Sequence, residues 1–175
     1  MFELLLKNGR KIYLKKAIED SELLIINKLA YIIWPEVYES VMPKEQINLL
    51  LSKYFEIDKL KKYILGGYEY YLLSHETINF GFVSFVDKGD FLYIDKLYLI
   101  KEYRHQGIGK LIFKNLLNFY KKPLKLNVNQ KNTNAINAYL NSGFEIEKEE
   151  YIKLNDSLTN IDFVMILKKS EESDI

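Results

Sequence analysis

Cysteine is absent from the 175 residues, which excludes disulfides, thiolate metal sites and a cysteine nucleophile. A cysteine-free chain fits a reducing compartment, and a cytoplasmic location is the expectation. Histidine occurs twice, as His75 and His105, too little for a histidine-based metal centre or a Ser-His-Asp triad, so no metal is expected. Glycine and proline are sparse, at eight and three, which excludes collagen-like and low-complexity classes. Neither sign of charge dominates. Lysine plus arginine number 25 against 24 acidic residues, so the basic excess of a dedicated nucleic-acid binder is missing and no nucleic-acid partner is expected. No apolar run approaches the ~20 residues that span a bilayer, and no membrane partner is expected. The first ten residues are too short and too charged for a signal peptide.

What the chain has is bulk. Hydrophobic residues make up 48%, with 14 tyrosines, 10 phenylalanines and one tryptophan. The length suits one domain, since domains run to roughly 100–200 residues. The expectation is a single domain over residues 1–168 and a disordered tail over 169–175.

Residues 1–17 read as extended structure, with a hairpin turn at Asn8-Gly9. Asp20-Ser21 offers an N-cap to a helix whose Leu23, Ile26, Leu29 and Ile33 recur at helical spacing. Pro35 ends or kinks that helix after Trp34. A second helix begins near Pro43, with Ile47, Leu50, Leu51 and Tyr54 on one face. A third covers about 58–64 and closes at Gly66-Gly67. The period then falls to two. Residues 68–73, 78–86 and 91–100 predict three strands joined by hairpins, with His75 in the first hairpin loop. Residues 107–121 predict a helix with Ile108, Leu111/Ile112, Leu116 and Phe119 facing inward. A strand over 124–128, a helix over 132–142 ended by Gly143, and strands over 144–154 and 161–167 complete the chain. Strand, helix and strand in the middle make one βαβ crossover, which requires a parallel pair.

The segment from Leu97 to Lys110 carries the most chemistry. A strand enters a turn bearing Arg104, Gly107 and Gly109, and a helix follows at once. Unpaired N–H groups and the positive end of the helix dipole suit a phosphate there, and glycine lets the backbone approach it. A Walker A loop is excluded, because position 104 is arginine and position 111 is leucine. The Gly-x-Gly-x-x-Gly fingerprint fails because position 112 is isoleucine. On this loop alone, a structural turn that merely permits a tight strand-to-helix join remains the other reading.

Arg104-His-Gln-Gly107-Ile-Gly109 resembles the pyrophosphate loop, Arg/Gln-x-x-Gly-x-Gly/Ala, of the GNAT superfamily of N-acetyltransferases. The strand before it, Ile94-Asp-Lys-Leu-Tyr-Leu99, is similar to the family's Ile-Glu-Arg-Leu-Tyr-Val. A second motif, Val128-x3-Asn132-x2-Ala135-x3-Tyr139-x3-Gly143-Phe144, stands at the family's distance. The segments Trp34-Pro-Glu-Val-Tyr38, Glu45-Gln46 and Asp162-Phe-Val-Met165 are similar to a bacterial branch that includes polyamine-type acetyltransferases. The resemblance implies an α/β (α+β) fold: a central mixed, mostly antiparallel sheet of about seven strands flanked by helices, with the βαβ crossover at the cofactor site. It also implies direct acetyl transfer from acetyl-CoA to a primary amine of a small amine, polyamine, amino acid or protein, by a monomer or homodimer.

Residue by residue, the resemblance gives the pyrophosphate to the amides of His105, Gln106, Gly107, Ile108, Gly109 and Lys110 and to the Arg104 side chain. Backbone groups of Leu97, Tyr98 and Leu99 would pair with the pantetheine arm and polarise the acetyl carbonyl. The side chains of Leu97 and Leu99 equally suit core packing. Asn132 and Ala135 would contact the coenzyme, and Tyr139 would protonate the departing thiolate, a role suited to a group of ordinary pKa ~10. Spacings of three and four place these three on one helical face; an aromatic anchor is the other use of Tyr139. Asp95 stands where relatives carry glutamate and is the candidate base; an exposed strand aspartate is the other reading. Trp34, Glu36 and Tyr38, with Glu39 nearby, suit a cationic acceptor, or else a core edge and a solvated face. His75 has no assigned role, and His105 contributes backbone. A non-catalytic acyl-CoA sensor on the same fold is the alternative, which retention of both Asn132 and Tyr139 disfavours.

Overall fold

The structure, a computed structural model, describes residues 2–40, 42–155 and 158–169, with the backbone alone at 153–155 and 158–160. The expected tail lies outside the described residues from position 170 on. The chain forms two compact units. One comprises the chain up to Val86 together with Lys96–Ile108; the other comprises Asp87–Asp95 and the chain from Gly109.

The first unit begins with an antiparallel hairpin, β1 (Phe2–Leu5) and β2 (Lys11–Lys16), turned at Gly9, where φ is +81°. Helix α1 (Asp20–Tyr38) follows, and its N-cap is Glu19 rather than Asp20 or Ser21. The cause is Glu22, whose buried carboxylate accepts the backbone N–H groups of Ile18 at 2.7 Å and Glu19 at 3.0 Å. Lys15 closes on the same carboxylate at 2.6 Å. The Ile18 amide first, then Lys15 and the Glu19 amide, hold the Glu22 carboxyl down to about 2. Asp20 is instead drawn to Lys61 at 2.7 Å.

Pro35 neither ends nor breaks α1, which continues to Tyr38. Proline forfeits one amide bond to the carbonyl a turn earlier. Its own carbonyl still accepts the Glu39 N–H at 2.9 Å, and Trp34 beside it is only 7% exposed, so the last turn is anchored. Helices α2 (Lys44–Phe55) and α3 (Ile57–Leu65) complete the layer. Ile26, Ile33, Ile47, Leu51, Phe55 and Leu60 are buried in one cluster with Tyr70, Leu72 and Phe82 of the sheet. Strands β3 (Tyr68–His75) and β4 (Ile78–Asp87) pair antiparallel with a bulge between Leu73 and Ser74. His75 closes β3 rather than lying in the loop, its Nδ1 2.8 Å from the Lys11 carbonyl oxygen.

Strand β5 (Leu92–Leu99) pairs in parallel with β6 (Leu124–Asn129) at Leu92–Leu124 and Tyr93–Lys125, which verifies the crossover. Between them lies α4 (Ile108–Tyr120), and α5 (Thr133–Asn141), β7 (Glu145–Asn155) and β8 (Leu158–Leu167) follow. The inward stripe of α4 is Ile108, Ile112, Phe113, Leu116 and Leu117; Phe119 is 61% exposed, against expectation. Steps of four from Ile108 reach Tyr120 rather than Phe119, so the apolar seam leaves Phe119 in solvent. The open mixed sheet has the order β1-β2-β3-β4-β5-β6-β8-β7. Among the described residues it has eight strands, in keeping with the expected sheet of about seven, and the hairpin expected at Asn8-Gly9 supplies two of them.

Candidate functional site

In the first unit, the strand–turn–helix segment is built tightly. Ile100 N–H donates to the Phe80 carbonyl at 2.9 Å, and a 3-10 turn over Lys101–Tyr103 follows. The Tyr103 ring stacks on Phe80, with centroids 4.1 Å apart and planes 3° off parallel, and Arg10 lies over Tyr103 at 5.7 Å. Gln106 donates to the Glu102 carbonyl at 2.6 Å and accepts from Arg10 at 3.3 Å. His105 and Gly107 have φ of +61° and +75°. A left-handed φ is costly for histidine and free for glycine, so the turn holds one strained residue. A Cβ at Gly107 would meet nothing within 4 Å, so backbone conformation, and not crowding by protein atoms, requires the glycine. Helix α4 then opens at Ile108, whose first turn leaves its N–H groups without helical partners.

Arg104 is already engaged. Its Nε donates to the Leu99 carbonyl at 2.7 Å, and its Nη2 meets the Glu36 carboxylate at 2.8 Å. Glu36, expected among the acceptor residues, is therefore the partner of the loop arginine. Trp34, Tyr38 and Tyr98 do come together. The Trp34 ring lies 4.8 Å from Tyr38 and 6.0 Å from Tyr98, and the two tyrosine hydroxyls are 3.2 Å apart. Trp34 Nε1 is buried and has no hydrogen-bond partner. Glu39 is exposed.

Gly81, a residue that pattern reading passed over, shapes the end of β5. A Cβ there would collide with the Tyr98 carbonyl oxygen and stand 3.2 Å from the Leu99 Cα. The signal was available, since glycine inside a strand marks close backbone approach. Leu92 and Ile94 are buried, whereas every residue from Asp95 to Ile100 is half-exposed. Alternation of faces cannot produce six such residues in a row. The end of β5 is covered only in part, with Tyr98 packed on Trp34, Phe55 and Phe82.

In the second unit, Asn132 is exposed and caps α5, its Oδ1 accepting the Ala135 N–H at 3.2 Å. Ala135 and Tyr139 are half-buried on the same helix, and Tyr139 packs near Phe144 at 5.7 Å and Phe113 at 6.2 Å. Lys110 reaches the Asn141 carbonyl at 3.3 Å. On β8, burial raises the Asp162 carboxyl above the usual range, aided by Glu150 and opposed by the Asn129 amide. Among the described residues no group of three His, Cys, Asp or Glu side chains could hold a metal ion, and no helix is long and apolar enough to cross a membrane.

Residues 38–162 match the family model described as the acetyltransferase (GNAT) domain. No curated protein registers as a match in sequence. Among solved structures, the PaiA N-acetyltransferase of Thermoplasma acidophilum in complex with coenzyme A is similar at TM-score 0.72 and 22% identity, covering 90% of this chain and 99% of its own. The ribosomal-protein-S18-alanine N-acetyltransferase of Escherichia coli gives 0.64 at 15% identity, covering 93% and 97%. The dodecameric spermidine N-acetyltransferase of Vibrio cholerae gives 0.61 at 15%, covering 93% and 96%.

Proposed function

The chain belongs to the GNAT acetyltransferases, and on that footing we propose that it moves an acetyl group directly from acetyl-CoA to a primary amine. The observation that carries this reading is the Arg104-x-x-Gly107-x-Gly109 turn, with His105 and Gly107 left-handed just before the open N–H groups of α4. That turn has the donors, the positive helix end and the clear space at Gly107 that a pyrophosphate needs. The amides of residues 105–110 hold the pyrophosphate. Arg104 stiffens the turn through Glu36 and Leu99 and adds positive charge. Backbone groups of the half-buried residues Leu97, Tyr98 and Leu99 take the pantetheine arm and the acetyl carbonyl. Asn132 and Ala135 border the coenzyme.

In the reaction, the neutral amine attacks the thioester carbon, the C–S bond breaks, the nitrogen loses a proton and the thiolate gains one. Tyr139 supplies the proton to sulfur. Asp95 takes the amine proton, directly or through water; amines of pKa ~10 are already a small fraction neutral at pH 7, so a strong base is not required. Trp34 and Tyr38 receive the acceptor, whether a small amine, polyamine, amino acid or protein amino group. Glu36 would join them only by giving up Arg104. The location is cytoplasmic on this reading, resting on the cysteine-free composition.

The test is calorimetry with acetyl-CoA. Gly107→Asp adds a side chain at a positive φ and a negative charge where phosphates would sit, so binding should be lost. Unchanged affinity in a folded Gly107→Asp protein would refute the assignment of the loop.

A further inference from the structure

A cavity lies within the first unit, on residues to which the acetyl-transfer reading assigns nothing. It has a volume of about 400 Å³ and is lined by Lys53 of α2, Lys59 and Lys62 of α3, Tyr63, Gly66 and Tyr68. The lining carries three lysines and no acidic residue; the Lys53 ammonium lies 5.2 Å from the Tyr54 ring and the Lys59 ammonium 3.6 Å from Asp58. The acids nearby are committed elsewhere or only loosely engaged. Asp20 holds Lys61 at 2.7 Å, and Glu56 accepts from Tyr31 at 2.7 Å. Asp58 stands 3.6 Å from Lys59 with its side chain 68% exposed. A fourth lysine, Lys96 of β5, brings its ammonium 5.1 Å from the Tyr63 ring. The floor is aromatic as well as basic, since Tyr63 and Tyr68 meet edge to face at 5.4 Å.

We propose that this cavity binds a small carboxylate- or phosphate-bearing molecule, separately from the coenzyme. An anion placed among Lys53, Lys59 and Lys62 is attracted by three cations of one sign on one lining. Tyr63 and Tyr68 offer ring surface to an apolar portion of the ligand, the usual pairing of a few polar groups with apolar walls in a small-molecule site. A polycation such as spermidine is the wrong sign for it. If the ligand is the acetyl acceptor itself, the acceptor is an amine that also carries an anionic group; if it is an effector, it acts at a distance from the transfer.

The test is a 1H–15N NMR titration of the full chain at constant ionic strength, with citrate, inorganic pyrophosphate and spermidine as probes. Citrate, pyrophosphate or both should shift the Gly66 and Tyr68 amides saturably; which of the two does so separates carboxylate from phosphate. Spermidine should leave those amides in place. The double variant Lys53→Gln, Lys62→Gln changes two exposed side chains, and it should weaken the anion about tenfold or more while the remaining spectrum stays that of the folded protein. Saturating coenzyme A should leave the anion's Kd within a few-fold. Absence of saturable shifts with either anion, equal affinity in the double variant, or displacement of the anion by coenzyme A would each overturn the proposal. None of these readouts depends on acetyl transfer, so failure here is distinct from failure of the enzymatic reading.

Discussion

Glu22 ties the start of α1 to β2 through one buried carboxylate that serves two amides and Lys15. Because its folded pKa is depressed to about 2, its contribution is complete above the ordinary glutamate range and is lost as pH falls toward 2. Glu22→Gln keeps the shape and removes the charge, leaving the two amides with a weaker acceptor. Unfolding at pH 7 should show a loss of about 1–2 kcal/mol. The gap between the two proteins should close when the same measurement is made near pH 2. A gap independent of pH would assign the effect to packing instead. Tyr139 calls for a different measurement. Tyr139→Phe retains the packing against Phe113 and Phe144 and loses only the hydroxyl. Binding of acetyl-CoA should stay within a few-fold, while turnover falls ~10²-fold. Wild-type turnover, with chemistry rate-limiting, would return Tyr139 to the role of helix anchor.

Strand β5 depends on its neighbour for its shape. The Tyr98 carbonyl and Leu99 Cα occupy the space where a side chain at Gly81 would be, and both are backbone atoms that cannot rotate away. Gly81→Ala should therefore lower stability by about 1–3 kcal/mol through overpacking. It should also cut kcat by up to about 10²-fold by displacing the β5 groups proposed to receive the acetyl carbonyl. Thermal unfolding and turnover in the same variant check both; reduced stability at full turnover would separate Gly81 from the transfer. At this scale much was legible in the sequence. Alternation located the strands, and short polar connections marked the hairpins. Helix limits were harder. Pro35 was read as ending or kinking the helix because local preference disfavours it, yet α1 runs on to Tyr38 with Trp34 buried beside it. Phe119 was placed inward by a spacing count that the true seam, running on to Tyr120, does not follow.

For the whole molecule, the strand-to-helix turn was legible because Arg104, Gly107 and Gly109 lie close together in the chain and their conformational demands are local. The Arg104–Glu36 pair was not, since its partners are 68 positions apart and neither carries a local signal for the other. The lysine-lined cavity escaped for the same reason, being assembled from α2, α3 and β3. Both gaps bear on the acceptor. Glu36, read as a counter-charge for a cationic amine, is spent on Arg104. The central claim is acetyl transfer itself, and its most direct measurement is mass detection of acetylated product alongside thiol release. The wild-type chain and Gly107→Asp would each be incubated with acetyl-CoA and a panel of polyamines, amino acids, anionic amines and peptides. The account predicts that at least one primary amine gains an acetyl group, in step with one released thiol, with the wild-type chain and not with Gly107→Asp. Tight binding of acetyl-CoA with no acetylated amine anywhere in the panel would contradict it and leave an acyl-CoA sensor.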